Sequence, residues 1–348
     1  MRCVFAADRS WIWRLTGLVV FAACHTAPPP DRPRPVLRCP TDLATPMLVV
    51  PPTLVHLERQ EDGTETGALE GAGERVHFTR WRTDQRHGGQ PPMVLLVPIL
   101  AGGEELMHSV AEGLVERGFD VALCRRVASA LKPPQRGSEL EELFRRTILH
   151  QRLLLAWLRE LAPGPAEICV MGLSLGGMVG TTLAAIEPSI RGVAVCLSGG
   201  DLGDLVIASS ESRVRRWRGW RHDADGVGDD HLRQELRQDL AHEPLRAARA
   251  VPTGKVLFVG GAFDTVVPTR HQDLLWEALG RPTRLTLPLG HYSAFLALEV
   301  VLDAAAEHFR GCLAPRGARA PEFARHWPVA PLAPPRSRRF DPLPRSRA

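Results

Sequence analysis

The pattern that most clearly indicates catalytic chemistry is the pentapeptide Gly172-Leu-Ser174-Leu-Gly176. A nucleophilic serine in this pattern lies on a sharp, strained turn between a strand and a helix. The two glycines allow that turn because a side chain at either position would collide with the crossing strand and helix. The N-terminus of the following helix also favours a developing negative charge. The pattern therefore favours Ser174 as a nucleophile, and the alternative is a Gly-rich turn with an idle serine.

Two further residues have the chemistry that an activated serine needs. Asp264 follows the apolar run 256–260, and His291 follows the shorter run 284–287. If both runs are strands of one parallel sheet, both residues lie at the carboxyl edge, where ligand sites of open α/β sheets are found. His291 would then take the proton of Ser174, and Asp264 would orient the imidazole. The alternatives are a plain turn residue for Asp264 and a loop-end cap for His291.

The elements that must position these residues alternate between strand and helix patterns. Apolar runs at 93–97, 119–124, 167–171, 191–197, 255–259 and 284–287 predict strands. Patterns at 104–117, 138–161, 176–186, 268–279 and 293–310 predict helices, the second beginning with a capping box at Ser138 and Glu141. Residues 46–90 predict one or two antiparallel strands. The expected fold class is α/β, with a mainly parallel, doubly wound sheet and helices on both faces.

The stretch from about Pro92 to Phe309 resembles the α/β-hydrolase family, and within it the esterases and dienelactone-hydrolase-like enzymes. The residues that carry the resemblance are the Gly-x-Ser-x-Gly-Gly elbow, the Gly-x-x-Asp-x-x-Val-Pro acid loop and the Gly-His before the last helix. It implies hydrolysis of an ester or related acyl bond in a small-molecule substrate, with no cofactor. It also implies that residues 200–250 form a small helical cap.

The resemblance implies an oxyanion hole built from two backbone N–H groups. Leu175, the residue after the nucleophile, is one expected donor. The second is expected from the turn after the strand 93–97, at Leu100 or Ala101, because Pro98 has no N–H. Some relatives take the acid from the preceding strand, which leaves Asp201 and Asp204 as alternatives to Asp264.

Two other polar features have weaker functional interpretations. His108 could touch substrate near the oxyanion loop, although a surface position on a helix is the simpler expectation. The segment 211–221 is rich in Arg and contains Trp217 and Trp220, so it could bind an acidic substrate or a membrane surface. The alternative is a solvated cap helix with two core tryptophans.

The N-terminus predicts export. Three arginines precede the apolar run 15–23, which is too short to span a bilayer but suits a signal peptide. The sequence then resembles a bacterial lipoprotein signal with Cys24 as the lipidated residue, which would anchor the protein to a membrane. Phe21 departs from the usual aliphatic residue, and a cytoplasmic location is the alternative. Residues 24–45 are predicted to be a Pro-rich tether.

The charge and the cysteine content bear on nucleic-acid binding, metal binding and disulfide formation. The net charge is +4, but residues 313–348 alone carry eight Arg against Glu322 and Asp341, and this tail predicts disorder. The body, residues 46–312, is therefore mildly acidic, and no nucleic-acid partner is expected. The seven cysteines form no metal pattern. Cys169 and Cys196 are expected as buried thiols, and a Cys39–Cys312 bridge is one option in an oxidising compartment.

Three functions are compatible with these residues. The first is hydrolysis of a carboxylic ester or similar bond through an acyl-enzyme intermediate. The second is acyl transfer by the same triad to an acceptor other than water. The third is a binding protein that keeps the fold without catalysis, although a scaffold has no physical need for all of Ser174, Asp264 and His291.

Overall fold

The computed structural model describes residues 25–27, 36–40, 51–84, 91–100, 103–127, 131–161 and 167–314. The strands are β1 (His25–Ala27), β2 (Thr53–Arg59), β3 (Glu65–Gly71), β4 (Glu74–Trp81), β5 (Met93–Val97), β6 (Asp120–Cys124), β7 (Ile168–Leu173), β8 (Ile190–Cys196), β9 (Val256–Gly261) and β10 (Thr283–Leu287). The α-helices are α1 (Glu104–Glu116), α2 (Gly137–Glu160), α3 (Leu175–Ile186), α4 (Leu202–Ala208), α5 (Ser212–Asp225), α6 (Asp229–Asp239), α7 (Pro244–Ala248), α8 (Thr269–Ala278) and α9 (Leu298–Leu313). Short 3₁₀ turns cover Thr253–Lys255 and Ser293–Ala297.

The ten strands of the described residues form one sheet in the order β1-β10-β9-β8-β7-β5-β6-β4-β3-β2. The six strands β5 to β10 are parallel, and antiparallel strands complete both edges. The mainly parallel sheet is therefore confirmed. The region 51–81 contributes three antiparallel strands rather than one or two, because the short turns at Gly63 and Gly73, both with positive φ, return the chain twice.

The sheet order reverses between β5 and β7. The chain moves from β5 to β6 on one side, crosses back, and then builds β7, β8, β9 and β10 outward on the other side. Such a switch point leaves a crevice outside the carboxyl ends of the two central strands. The residues that follow β5 and β7 therefore border a natural site.

The central strands are buried on both faces, which explains their unbroken apolar runs. In β5, Leu95 and Val97 pack into one core while Val94 and Leu96 pack into another. The first core lies between the sheet and α2, α3 and the helices after β8, and the second lies between the sheet and α1 and α9. Helices on both faces of a parallel sheet satisfy this alternation.

Helix α2 begins one residue before its predicted capping box. Its N-cap is Arg136, whose backbone N–H donates to Glu139 Oε2 at 2.7 Å. Glu141, the predicted capping partner, instead accepts hydrogen bonds from the backbone N and the Nδ1 of His242. The capping-box assignment was wrong because Glu141 ties α2 to the segment after β8.

The four helices α4 to α7 form the segment predicted to be a cap. Trp217 of α5 is fully buried, and its Nε1 donates to the carbonyl of Gln135 at 2.8 Å. Arg221 is buried too, with its guanidinium bound to Asp225 and Glu235 and placed over the Trp217 ring. The Trp217 hydrogen bond attaches the cap to the chain just before α2, and the Arg221 contacts hold the cap helices together.

Two short pieces of the predicted tether are described. His25–Ala27 pairs antiparallel with β10, and Leu37 N donates to Arg249 O at 3.0 Å. The predicted signal segment, Cys24 and the tail beyond residue 314 lie outside the described residues, so those interpretations stay predictions. None of the helices in the described ranges combines the length and hydropathy that a membrane crossing requires.

We expect Trp217→Ala to lower the free energy of unfolding by about 3–5 kcal/mol, because it removes a buried aromatic side chain and leaves a cavity. Trp220→Ala is the matched control, since Trp220 on the same helix is only partly buried. Urea denaturation of both variants measures the difference. Equal losses in the two variants would contradict the assignment of Trp217 as the anchor of the cap.

Glu74 gives the fold a predictable acid sensitivity. Its hydrogen-bonded ion pair with Arg146 lowers the pKa of Glu74 to about 2 from an ordinary 4.5, against the opposing effect of burial. A lowered carboxyl pKa adds stability above pH 4.5 that is lost as pH falls toward 2. We expect Glu74→Gln to remove up to about 3 kcal/mol of the unfolding free energy at pH 7 and less at pH 3. A loss independent of pH would contradict this.

Candidate active site

Ser174 occupies the sharp turn between β7 and α3. Its backbone has φ 54° and ψ −123°, a conformation that is costly for any residue with a side chain. Such strain persists only where the surroundings fix it. The predicted elbow geometry is therefore present at Ser174.

The glycines around Ser174 are required by close backbone approach. A Cβ on Gly172 would lie 2.1 Å from the carbonyl oxygen of Gly176, and one on Gly176 would lie 2.4 Å from that of Val97. A Cβ on Gly177 would lie 2.1 Å from Ser198 Oγ. Each distance is far below van der Waals contact, so no side chain fits unless the turn opens.

Ser198 fixes the elbow from behind, and the sequence analysis did not single it out. Its buried hydroxyl lies 2.7 Å from Ser174 O and 2.9 Å from Cys196 O, both carbonyl acceptors. Ser174 N also donates to Cys196 O at 2.8 Å. The only sequence signal is a small polar residue after β8, at the start of Ser198-Gly-Gly200.

Asp264 and His291 form a hydrogen-bonded pair at the carboxyl ends of β9 and β10. Asp264 Oδ2 lies 2.7 Å from His291 Nδ1. Because a carboxylate only accepts, Nδ1 carries the proton, and in the neutral imidazole Nε2 then holds the lone pair. The other carboxylate oxygen accepts from the backbone N–H groups of Val266 and Val267 at 2.9 and 2.8 Å. The Asp264 side chain is therefore held rigidly and is fully buried.

Ser174 and His291 line the same cavity at the carboxyl edge of the sheet. Within the described part of the chain, no hydrogen bond joins the Ser174 hydroxyl to the imidazole. Catalytic hydrogen bonds are often long without substrate and shorten when it binds. The three predicted residues thus meet in one place, although 90 residues separate Ser174 from Asp264.

The alternative acids face other partners. Asp201 binds Arg237 at 2.6 Å and caps α4. Asp204 binds Arg233 and Arg270 at 2.8 and 2.7 Å. Both carboxylates serve to hold the cap, and the carboxylate beside His291 is that of Asp264.

Two of the three expected oxyanion residues line the cavity together with Ser174. Leu175 is the first residue of α3, and Leu100 follows β5 across the switch point; both line the cavity. Ala101, the other candidate for the second donor, lies outside the described residues. Gly176 packs directly on the carbonyls of Val97 and Pro98, which brings the loop after β5 against the elbow.

The cavity has a volume of about 230 Å³ and a mainly apolar wall. Leu, Ile, Val, Met and Phe side chains from α2, the cap, the loop after β5 and α9 make up most of its lining. Glu211, the N-cap of α5, is the one carboxylate among the described residues that line it. Burial raises the pKa of the Cys196 thiol to about 12, so that lining group is neutral. Burial, followed by the nearby Glu211 and Asp264, raises the pKa of Tyr292.

Apart from Cys196, which lines the cavity, the remaining predicted polar residues lie away from it. His108 is exposed on α1, where its ring meets Trp81 edge-on at 5.2 Å. Cys169 and Cys196 are buried thiols in strands. Cys312 Sγ lies 3.5 Å from His308 Nε2, and the described cysteines form no Cys39–Cys312 disulfide. In the described ranges, no group of His, Cys, Asp and Glu has an arrangement that could hold a metal ion.

Comparison with known proteins supports the fold more than the function. No family model matches the chain. Uncharacterized proteins from two strains of Mycobacterium tuberculosis are 29% identical over 145 residues, which is 41% of this chain and 32% of theirs. The match thus spans about a third of the length of those relatives.

Solved structures share the architecture at low sequence identity. Acetyl xylan esterase 1 from Thermoanaerobacterium sp. superposes with a TM-score of 0.53 at 17% identity, over 73% of this chain and 88% of the esterase. The 2,6-dihydroxy-pseudo-oxynicotine hydrolase gives 0.53 at 17%, over 72% and 68%. Est1E from Butyrivibrio proteoclasticus gives 0.50 at 12%, over 72% and 99%. With its ten-stranded sheet and its helices on both faces, the chain has the α/β-hydrolase fold.

Proposed function

We propose that this protein is a serine hydrolase that cleaves a carboxylic ester through a Ser174-His291-Asp264 triad. The observation that carries the proposal is the convergence of a strained Ser174 and a paired His291 on one apolar cavity. Perturbed backbone geometry and a buried acid–base pair in a concave site together favour catalysis over packing. The acetyl xylan esterase that shares the fold is consistent with it.

The proton relay follows from the hydrogen bonds of His291. With Nδ1–H held by Asp264, Nε2 accepts the Ser174 hydroxyl proton as Oγ attacks the carbonyl carbon of the ester. The carbonyl π electrons move to oxygen, giving a tetrahedral oxyanion and an imidazolium. The carboxylate of Asp264 stabilises that imidazolium and stays ionised.

Collapse of the tetrahedral intermediate expels the alcohol. The C–O bond to the leaving group breaks, and the alkoxide takes the proton from His291 Nε2, which leaves an acyl group on Ser174. Water then attacks the acyl carbon with His291 again as base, and release of the carboxylic acid restores the hydroxyl. Each atom and proton is accounted for without a further reactant.

The oxyanion would be held by backbone N–H groups near the elbow. Leu175 N lies at the start of α3, where the helix dipole favours negative charge. The second donor comes from the loop after β5, at Leu100 or Ala101. Removing one such donor typically costs 10²–10³ in kcat, so this pair contributes a large share of the barrier reduction.

Fluorophosphonate labelling tests the activated serine directly. We expect the purified wild-type protein to be labelled at Ser174, and Ser174→Ala to lose the label, with mass spectrometry of the modified peptide as the readout. His291→Ala should slow labelling by about 10³-fold or more, because the hydroxyl loses its base. His231→Ala is the matched control, since His231 is an exposed histidine of the cap.

Labelling of the folded wild type at another residue would contradict the proposal. So would a His291→Ala protein that reacts at the wild-type rate. Hydrolysis of p-nitrophenyl esters by the same samples distinguishes a serine that only reacts with the probe from one that completes the turnover of an ester. Circular dichroism and thermal melting confirm that each variant is folded.

The identity of the acid is tested by an isosteric set of substitutions. We expect Asp264→Asn to lower kcat by about 10³–10⁴ at pH 7, since an amide NH₂ facing His291 would select the wrong tautomer. Asp201→Asn and Asp204→Asn should each change kcat by less than about threefold, because those carboxylates bind arginines of the cap and of α8. A larger loss in either variant than in Asp264→Asn would reassign the acid.

A further inference from the structure

The residues that line the cavity belong to both hydrophobic cores. On the cap side its wall is formed by α2, α4 and α5, with Leu140, Phe144, Leu205 and Val214 as representative side chains. These residues belong to the core that packs between the sheet, α2, α3 and the cap. The cap side is therefore lined mainly by buried hydrocarbon side chains.

The other side of the cavity lies toward the opposite face of the sheet. There the wall is formed by Leu106, Leu298 and Val301, which pack with the core under α1 and α9. His291 lies in the loop that leads into α9, and the neighbouring Tyr292 ring meets its imidazole edge-on at 5.5 Å. Tyr292 and Phe295 line this side and are exposed, so this side opens to solvent.

The position of His291 decides which part of an ester occupies each side. In the second half of acylation the imidazolium must reach the leaving oxygen, so the alcohol lies on the side of His291. The acyl group then extends from the carbonyl carbon in the other direction, beneath the cap. We propose that the acyl group is a neutral hydrocarbon chain of medium length that lodges between α2, α4 and α5. This inference rests on the proposed ester hydrolysis.

The volume of the cavity limits the length of the acyl chain. An apolar cavity of about 150 Å³ holds benzene, which is about 25 Å³ per carbon. At that ratio, the 230 Å³ seen here hold about nine carbons, and most of this space is left to the acyl group because the alcohol side opens to solvent. An acyl chain of about four to eight carbons therefore fits, and one of twelve or more does not.

The charges of the lining exclude an anionic acyl group. Among the described residues that line the cavity there is no Lys or Arg, and Glu211 is a carboxylate. Its side chain accepts hydrogen bonds from Val214 N and Ser212 Oγ, which hold it in the wall. A carboxylate on the acyl chain would lose its water without gaining a cation.

The test is a series of p-nitrophenyl esters with acyl chains of two to sixteen carbons. We expect kcat/KM to rise about fourfold per methylene up to the optimum, as for burial of one CH₂ group, and to fall by twelve carbons. The optimum should lie between four and eight carbons. A hemisuccinate ester should react at least tenfold more slowly than the pentanoate ester of similar length.

Substitutions of Leu205 test whether the acyl chain binds beneath the cap. Leu205→Ala enlarges the cavity by about three carbons, so the optimum should move two to three carbons longer. Leu205→Trp fills it, so the optimum should move shorter by a similar amount or more. Leu232→Ala is the matched control, because it removes the same three carbons from the buried core of the cap and not from the cavity wall.

The outcomes separate this inference from the proposed function. If Ser174 is labelled and esters turn over, but the acetyl ester is the best substrate or Leu205→Ala leaves the optimum unchanged, the acyl assignment is wrong and the hydrolase stands. An equal shift in Leu232→Ala would also overturn it, since the cause would be general loosening of the cap. If no ester turns over and no fluorophosphonate reacts, both claims fall. If Leu205→Trp does not fold, Leu205→Ala alone decides.

Discussion

The site depends on one crossing of backbone: β7 and α3 meet at Ser174 with no side chains between them. Gly172 approaches the carbonyl of Gly176, and Gly176 approaches the carbonyl of Val97. This contact lets the chain reverse within one residue and leaves Ser174 at positive φ. The strain is sustained because packing and hydrogen bonds on both sides prevent relaxation. The loop after β5 and the start of α3 are brought together by the same contact.

The rest of the site is arranged around that crossing by the parallel sheet. Parallel strands end at one edge, so the loops after β9 and β10 bring Asp264 and His291 to the edge where β7 ends. The cap, anchored by the buried Trp217, forms one wall of a cavity whose lining is mainly hydrocarbon. A dry wall strengthens the electrostatic interactions of the triad and favours apolar substrate. The sheet thus positions the triad, and the apolar wall favours binding of an apolar substrate.

Much of this frame could be predicted from the sequence because local patterns determine it. The apolar runs of β5 to β10 are continuous since both faces are covered, and the Gly-x-Ser-x-Gly pattern specifies a turn that few other residues permit. The pairing of His291 with Asp264 followed from topology, because both residues come after neighbouring strands.

Other features depend on contacts between distant segments and could not be read locally. The start of α2 was misplaced because Glu141 binds His242, which lies about a hundred residues later. Ser198 carries no motif, and its importance comes only from the 2.7 Å contact with Ser174 O. Arg221 lies in a segment whose composition favours a solvated surface, yet it is buried because Glu235 and Asp225 neutralise it. The two sides of the cavity depend on how the helices pack, so the sequence could not reveal them.

Trapping the acyl-enzyme would show whether Ser174 is the nucleophile. The protein would be mixed with p-nitrophenyl hexanoate and quenched in acid within the first turnover, and mass spectrometry would locate the added acyl group. We predict a hexanoyl group on the Ser174 hydroxyl that disappears with the rate of deacylation and is absent in Ser174→Ala. Steady ester turnover with no acylated protein, or with the acyl group on another residue, would contradict it.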